Sequence, residues 1–174
     1  LPPGTMLSLD ASGKASGVLE EPVAYWSVKN VIEAGNLEPF TGSEDDVATE
    51  LETLLLDSVK KRMVADVPLG AFLSGGIDSS TVVAMMQAQS SHPVKTFTIG
   101  FEQENYNEAD RAKQVAKHLG TEHTELYVTP QETMEVIPRL PELYDEPFAD
   151  ASQIPTFLVS KLTRKHVTIS LSGD

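Results

Sequence analysis

From Ser43 onward the apolar positions fall into two alternating rhythms. Behind a capping pair of Ser43 and Asp46, Val47, Leu51, Leu54, Leu55, Val59 and Met63 recur at helical spacing, which predicts an amphipathic helix that packs through that face. Val67, Leu69, Ala71, Phe72 and Leu73 then crowd into a short buried strand, and Thr81, Val82, Val83, Met85 and Met86 predict a second helix with an apolar side. After Ser90-Ser91-His92-Pro93 a strand runs from Val94 to Ile99. Asn107 and Asp110 cap a helix whose apolar residues are Ala109, Ala112, Val115, Ala116 and Leu119, and Gly120 stops it. Leu126 to Val128 forms another strand, and Thr129-Pro130-Gln131-Glu132 supplies a cap, a first-position proline and a capping-box partner for a short helix. A helix over 152–165 and a strand over 167–171 complete the series. Strand and helix in repeated alternation predict an α/β fold, a doubly wound and mostly parallel sheet with ligands beyond the carboxyl ends of its strands.

The stretch before this series is different. Residues 10–46 are rich in Gly, Ser, Pro and acid, and Val23 to Ile32 is their only hydrophobic concentration. This reads as a linker carrying a short strand or hairpin. A length of 174 residues suits one domain with an attached end from another.

Charge narrows the choice of partners. With 26 acidic residues against 13 basic ones the formal net charge is -13, which argues against a general nucleic-acid binder. No apolar stretch approaches the roughly 20 residues of a membrane-spanning helix, and no basic-then-apolar segment opens the chain, so a cytoplasmic location is the expectation. The absence of Cys removes disulfides and thiolate metal sites.

The chemistry concentrates where the first buried strand turns into its helix, at Phe72-Leu73-Ser74-Gly75-Gly76-Ile77-Asp78-Ser79-Ser80-Thr81. Gly75 and Gly76 tolerate positive φ and let an oxygen-rich ligand approach the backbone. Their N–H groups, with those of Ile77 and Asp78, form an anion-binding nest at the positive end of a helix, and Ser74, Ser79 and Ser80 add hydroxyl donors. An Asp inside a phosphate cradle repels the ligand unless a cation comes between them, so Asp78 calls for Mg²⁺ held jointly by carboxylate and phosphate oxygens. An ordinary turn and helix cap uses the same residue types, but not this whole constellation between a strand and a helix. A GxxxxGK[ST] loop is excluded because no lysine lies between Arg62 and Lys95, and a GxGxxG is absent.

This run resembles the pyrophosphate loop, or PP-loop, of the ATP pyrophosphatase superfamily, whose fold is adenine-nucleotide alpha-hydrolase-like. With Asp66-Val67-Pro68-Leu69-Gly70 ahead of it, it is most similar to the synthetase domain of glutamine-hydrolysing asparagine synthetases. Thr96 to Phe101, Asn107-Glu108, His118 to His123, Tyr144 to Asp150, Ile154-Pro155-Thr156, Val159-Ser160 and Ser172-Gly173-Asp174 extend the resemblance in the family's order over residues 60 to 174. Leu1-Pro2-Pro3-Gly4-Thr5-Met6 and Tyr25-Trp26 are similar to the tail of the family's glutaminase domain, without its catalytic amino-terminal cysteine. The resemblance divides the chain into residues 1–30, a glutaminase-domain tail and linker, and residues 31–174, the first part of a truncated synthetase domain.

What the resemblance implies is an AMP-forming carbon–nitrogen ligase. Its substrates are ATP with Mg²⁺, aspartate or another carboxylic acid, and ammonia from glutamine delivered by the glutaminase domain of a longer protein. An amidotransferase acting on a sugar acid, or an inactive ATP-binding fragment, stays open as an alternative, as does a homodimer. Asp78 becomes the metal ligand and, with Ser74, a catalytic residue. ATP contacts fall on Leu73, Ser74, Gly75, Gly76, Asp78, Ser79, Ser80, Ile99, Ser172 and Gly173, and Asp174 falls near substrate. Ile99 also reads as core, since a β-branched residue in a buried strand needs no ligand to explain it. Asp145 and Glu146 face either the site mouth or solvent. His92, His118, His123 and His166 form neither an HExxH nor a compact ligand set, and His123 matches the family's G-T-x-H element.

Overall fold

The computed structural model describes residues 1–9, 20–101, 108–147 and 149–173. Two compact units divide between Thr49 and Glu50. In the first, strand β1 (Thr5–Met6) pairs antiparallel with β2 (Val23–Ala24), so the stretch over 10–46 supplies one short strand whose partner lies ahead of it. A helix α1 (Val28–Leu37) follows, where only a linker was expected. Ser27 caps it by accepting from the Asn30 N–H, and the spacing of Val28, Val31 and Ile32 is helical, yet none of its residues is buried.

Helix α2 (Glu44–Arg62) opens with the predicted capping pair: the Ser43 N–H donates to Asp46 Oδ2 at 2.9 Å and the Asp46 N–H to Ser43 Oγ at 3.3 Å. The expected packing face is realised only in its last turns. Val59 is buried and Met63 packs beside it, whereas Val47, Leu51 and Leu54 are exposed.

The second unit is a four-stranded parallel sheet, ordered β5 (Glu122–Val128), β4 (Lys95–Phe101), β3 (Leu69–Phe72), β6 (Ile169–Leu171). Successive residues of a strand face opposite sides, and both sides are filled. Ala71 and Leu73 join a core with Val83 and Met86 of α3 (Ile77–Gln89) and Ala112 and Ala116 of α4 (Ala109–Leu119). Phe72 joins Phe97 and Val159, the last from α7 (Gln153–Thr163), on the other side. Val128, Val136 and Leu158 form a third cluster, to which α5 (Pro130–Val136) and α6 (Leu140–Leu143) contribute. The α/β, doubly wound parallel reading therefore holds for this unit.

Boundaries differ in places. β5 begins at Glu122 rather than Leu126, because its full length is paired with β4 from Lys95 to Phe101. Glu108 is the residue that caps α4, with no side-chain cap bond, while Asn107 lies outside the described residues. Gly120 ends α4 in the left-handed region at φ 72°, and Thr129 with Glu132 forms the full capping box of α5. Among the described residues no helix is long and apolar enough to cross a membrane.

Candidate functional site

Strand β3 leads directly into the glycine turn. The Leu73 N–H still donates to Phe97 O at 2.9 Å, and then Gly75, at φ 78°, reverses the chain. Gly76 is the N-cap of α3 and offers no side-chain cap, so the N–H groups of the first turn are left facing outward for an acceptor. Ser79 braces this arrangement from beneath. Its hydroxyl accepts from the Ser74 N–H at 3.2 Å, lies 2.9 Å from Ser74 Oγ and donates to Gly76 O at 3.4 Å. The Gly76 N–H in turn donates to Ser74 Oγ at 3.3 Å. A preformed turn of this kind presents backbone donors without reorganising to bind.

Above the turn lies a cleft of about 350 Å³ at the carboxyl ends of β3, β4 and β6. One wall is apolar: Phe72, Phe97, Ile99 and Val159, beside the backbone of Leu73. The floor is Ser74, Gly76, Asp78 and Ser79, the β6 exit contributes Ser172 and Gly173, and Thr98, Glu108 and Thr156 complete the rim. An apolar wall meeting a few convergent polar groups is the usual make-up of a small-molecule site. β6 comes close to α3 here. A Cβ added to Gly173 would fall 2.6 Å from Ser79 N and 2.9 Å from Asp78 C, so only glycine fits.

The structure thus gathers Leu73, Ser74, Gly76, Asp78, Ser79, Ile99, Ser172 and Gly173 on one cleft. Leu73 is 1% exposed, so its side chain belongs to the core and its contribution to the cleft is at the backbone. Gly75 does not line the described wall; it leans on α4, where an added Cβ would fall 2.7 Å from Ala112 N. Ser80 faces the opposite way, into a shallow groove with Ala84, Val115 and Leu119, and its buried hydroxyl has no partner among the described residues. Asp174 lies outside the described residues, as does any bond it makes. Reasoning from the sequence missed Thr98, Glu108 and Thr156 as cleft residues. Glu108 alone left a signal, an acid immediately before a helical apolar period.

The donor set suits a hard cation held together with a phosphate ligand. Asp78 is exposed on the first turn of α3, and among the described residues its carboxylate makes no hydrogen bond or ion pair. No group of three His, Cys, Asp or Glu able to hold a metal occurs among the described residues.

The histidines stay out of the cleft lining. His123 Nδ1 is 2.9 Å from Thr96 Oγ1, which also lies 3.0 Å from Thr121 Oγ1, and His123 Nε2 is buried with no partner among the described residues. Burial pushes its pKa down; Lys113 acts in the same direction and Glu125 against it. Glu125 pairs with Lys113 at 3.0 Å and accepts from Tyr127 Oη at 2.8 Å. Burial alone would raise the Glu125 carboxyl, but these partners hold it below its ordinary value.

A family model described as asparagine synthase matches residues 50–174. The glutamine-hydrolysing asparagine synthetase 1 of Bacillus subtilis is 43% identical over 140 residues, covering 80% of this chain and 22% of that protein. The glutamine-hydrolysing asparagine synthetase of Homo sapiens is 34% identical over 184 aligned positions, covering 97% of this chain and 32% of that protein. The chain therefore spans about a fifth to a third of the length of these relatives. Among solved structures, the NMN synthetase from Francisella tularensis superimposes with a TM-score of 0.48 at 15% identity, over 77% of this chain and 56% of that one.

Proposed function

The chain belongs to the asparagine synthase family, and from that premise we propose that it carries the ATP-binding part of a glutamine-dependent asparagine synthetase. Residues 31–174 are then the opening part of its synthetase domain, and residues 1–30 the tail of the glutamine-hydrolysing domain and the linker from it. The observation that carries the reading is the cleft itself, in which an apolar wall at the ends of β3 and β4 meets the donor-rich turn Ser74–Asp78. A nucleotide has the matching two ends, a flat base and a polyanion.

In the proposed reaction a carboxylate oxygen of aspartate attacks the α-phosphorus of ATP. The bond to the bridging oxygen breaks and pyrophosphate leaves. Ammonia released from glutamine then adds to the acyl carbon, the bond to AMP breaks, a proton is lost and an amide remains. No protein nucleophile is needed. This chain's task is positional and electrostatic: the N–H groups of the first turn of α3 receive the phosphate charge, Ser74 adds a hydroxyl, and Ser79 keeps the turn in shape. Asp78 would hold Mg²⁺, which when bound would compensate the charge developing on the departing pyrophosphate. Backbone around Leu73 and Ile99 receives the adenosine, Ser172 and Gly173 border the α-phosphate, and Asp174 is assigned to the acceptor.

Pyrophosphate release from ATP, measured with aspartate and with a panel of other carboxylic acids, is the test. Release that depends on aspartate, and loss of both release and calorimetric Mg·ATP binding in Asp78→Ala, are the expected results. Unchanged release by a correctly folded Asp78→Ala protein overturns the assignment, and release that depends on a different acid moves it to another acceptor.

A further inference from the structure

The cleft contains a second carboxylate that the reaction above does not use. Glu108 lines it, is exposed, and among the described residues makes no side-chain hydrogen bond or ion pair. Its position is fixed from two sides by the first turn of α4. Ala109 is pressed against β4, where a Cβ added to Gly100, the neighbour of Ile99, would fall 3.0 Å from Ala109 Cβ. Three residues on, Ala112 N is the atom that closes off Gly75 at 2.7 Å. Glu108 thus stands at the rim of the cleft, at the head of a helix packed against both β4 and the glycine turn.

A carboxylate accepts hydrogen bonds and cannot donate them at neutral pH, so it has nothing to offer phosphate oxygens and repels them. The part of a nucleotide that lies between base and polyphosphate is the sugar, and its free hydroxyls are donors. We propose that Glu108 reads the ribose, accepting from its 2′- and 3′-hydroxyls, and so makes the site selective for ribonucleotides. The inference rests on the nucleotide reading of the cleft and adds to it the group that recognises the sugar.

Calorimetric binding of Mg·ATP, Mg·2′,3′-dideoxyATP and Mg·tripolyphosphate to the protein and to Glu108→Ala separates the two. The wild type is expected to prefer ATP over the dideoxy analogue by about tenfold to a hundredfold, the range set by hydrogen bonds to a charged group. Glu108→Ala brings that preference to within about twofold by weakening ATP, while tripolyphosphate binds as well as before or better. Glu108→Gln, which keeps one acceptor oxygen and the size of the side chain, gives an intermediate preference and guards against a folding effect of the alanine. A wild type that binds both nucleotides equally, or variants that keep the preference or lose all three ligands alike, overturns the role of Glu108 and leaves the nucleotide site standing. A wild type that binds none of the three overturns the nucleotide reading, and this inference with it.

Discussion

Gly75 and Gly120 have nearly the same backbone conformation, φ 78° and 72°, and opposite surroundings. Replacing either with alanine introduces left-handed strain of about 1–2 kcal/mol. At Gly120 nothing lies within 4 Å of the new Cβ, so strain is the whole effect. At Gly75 the methyl would fall 2.7 Å from Ala112 N, 2.8 Å from Arg111 Cβ and 2.9 Å from Arg111 C; two of these three atoms are helix backbone that cannot swing aside. Overpacking of this kind adds about 1–3 kcal/mol, so Gly75→Ala is expected to lose about 2–5 kcal/mol in all. For a chain of this size that is a fall in Tm of about 4–20 °C, against about 2–8 °C for Gly120→Ala. Thermal and urea unfolding followed by circular dichroism measure both. Because relief of the clash displaces the turn from α4, Gly75→Ala also weakens Mg·ATP binding, and Gly120→Ala does not. Equal destabilisation by the two substitutions would refute the claim that Gly75 is specified by the approach of α4 rather than by its dihedral angle alone.

Ser79→Ala strips the Ser74 N–H of its acceptor and unpins Gly76, so it is expected to destabilise by about 1–3 kcal/mol and to weaken nucleotide binding. Ser80→Ala removes a buried hydroxyl that has no partner among the described residues and leaves both properties unchanged or slightly improved; the same unfolding and calorimetric measurements decide between them. His123 supplies a pH dependence. Its folded pKa is lowered by burial, so as pH falls through the ordinary histidine value near 6.5 the unfolded chain takes up the proton first. The stabilisation is complete above that pH and is lost progressively below it. Tm measured between pH 8 and pH 5 is expected to fall more steeply for the wild type than for His123→Asn, and parallel profiles would contradict this account.

Much of the chain from Ser43 onward is legible because its elements carry local signals. The capping pairs Ser43 with Asp46 and Thr129 with Glu132, the stop at Gly120 and the apolar runs around β3 and β4 each depend on neighbours in sequence, and each appears as read. Failures follow where the deciding partner is remote. The first residues of β5 are too polar to declare a strand, yet pairing with β4 makes them one. Helix α2 shows a full apolar stripe, of which only the end is covered within the unit that begins at Glu50. α1 lay hidden in a stretch whose Gly and acid content resembles a linker, although Ser27 supplies a cap.

The site divides along the same line, and the division says what kind of site it is. Binding by backbone N–H groups requires small residues in a fixed order, so Ser74-Gly75-Gly76 announces itself in one dimension. Side chains supplied by topology leave no such mark, which is why Thr98 and Thr156 emerge only when the strand exits meet. Between these extremes stands Gly173, nearly a hundred positions from the turn. The parallel register that sets Ala71 opposite Leu171 carries β3 and β6 to the same edge of the sheet, and the missing Cβ then lets the Gly173 backbone close on Ser79 N. Two short glycine motifs that look independent in sequence are therefore the two sides of one contact. A side chain at Gly173 would push the β6 exit away from the first turn of α3 and open the floor of the cleft.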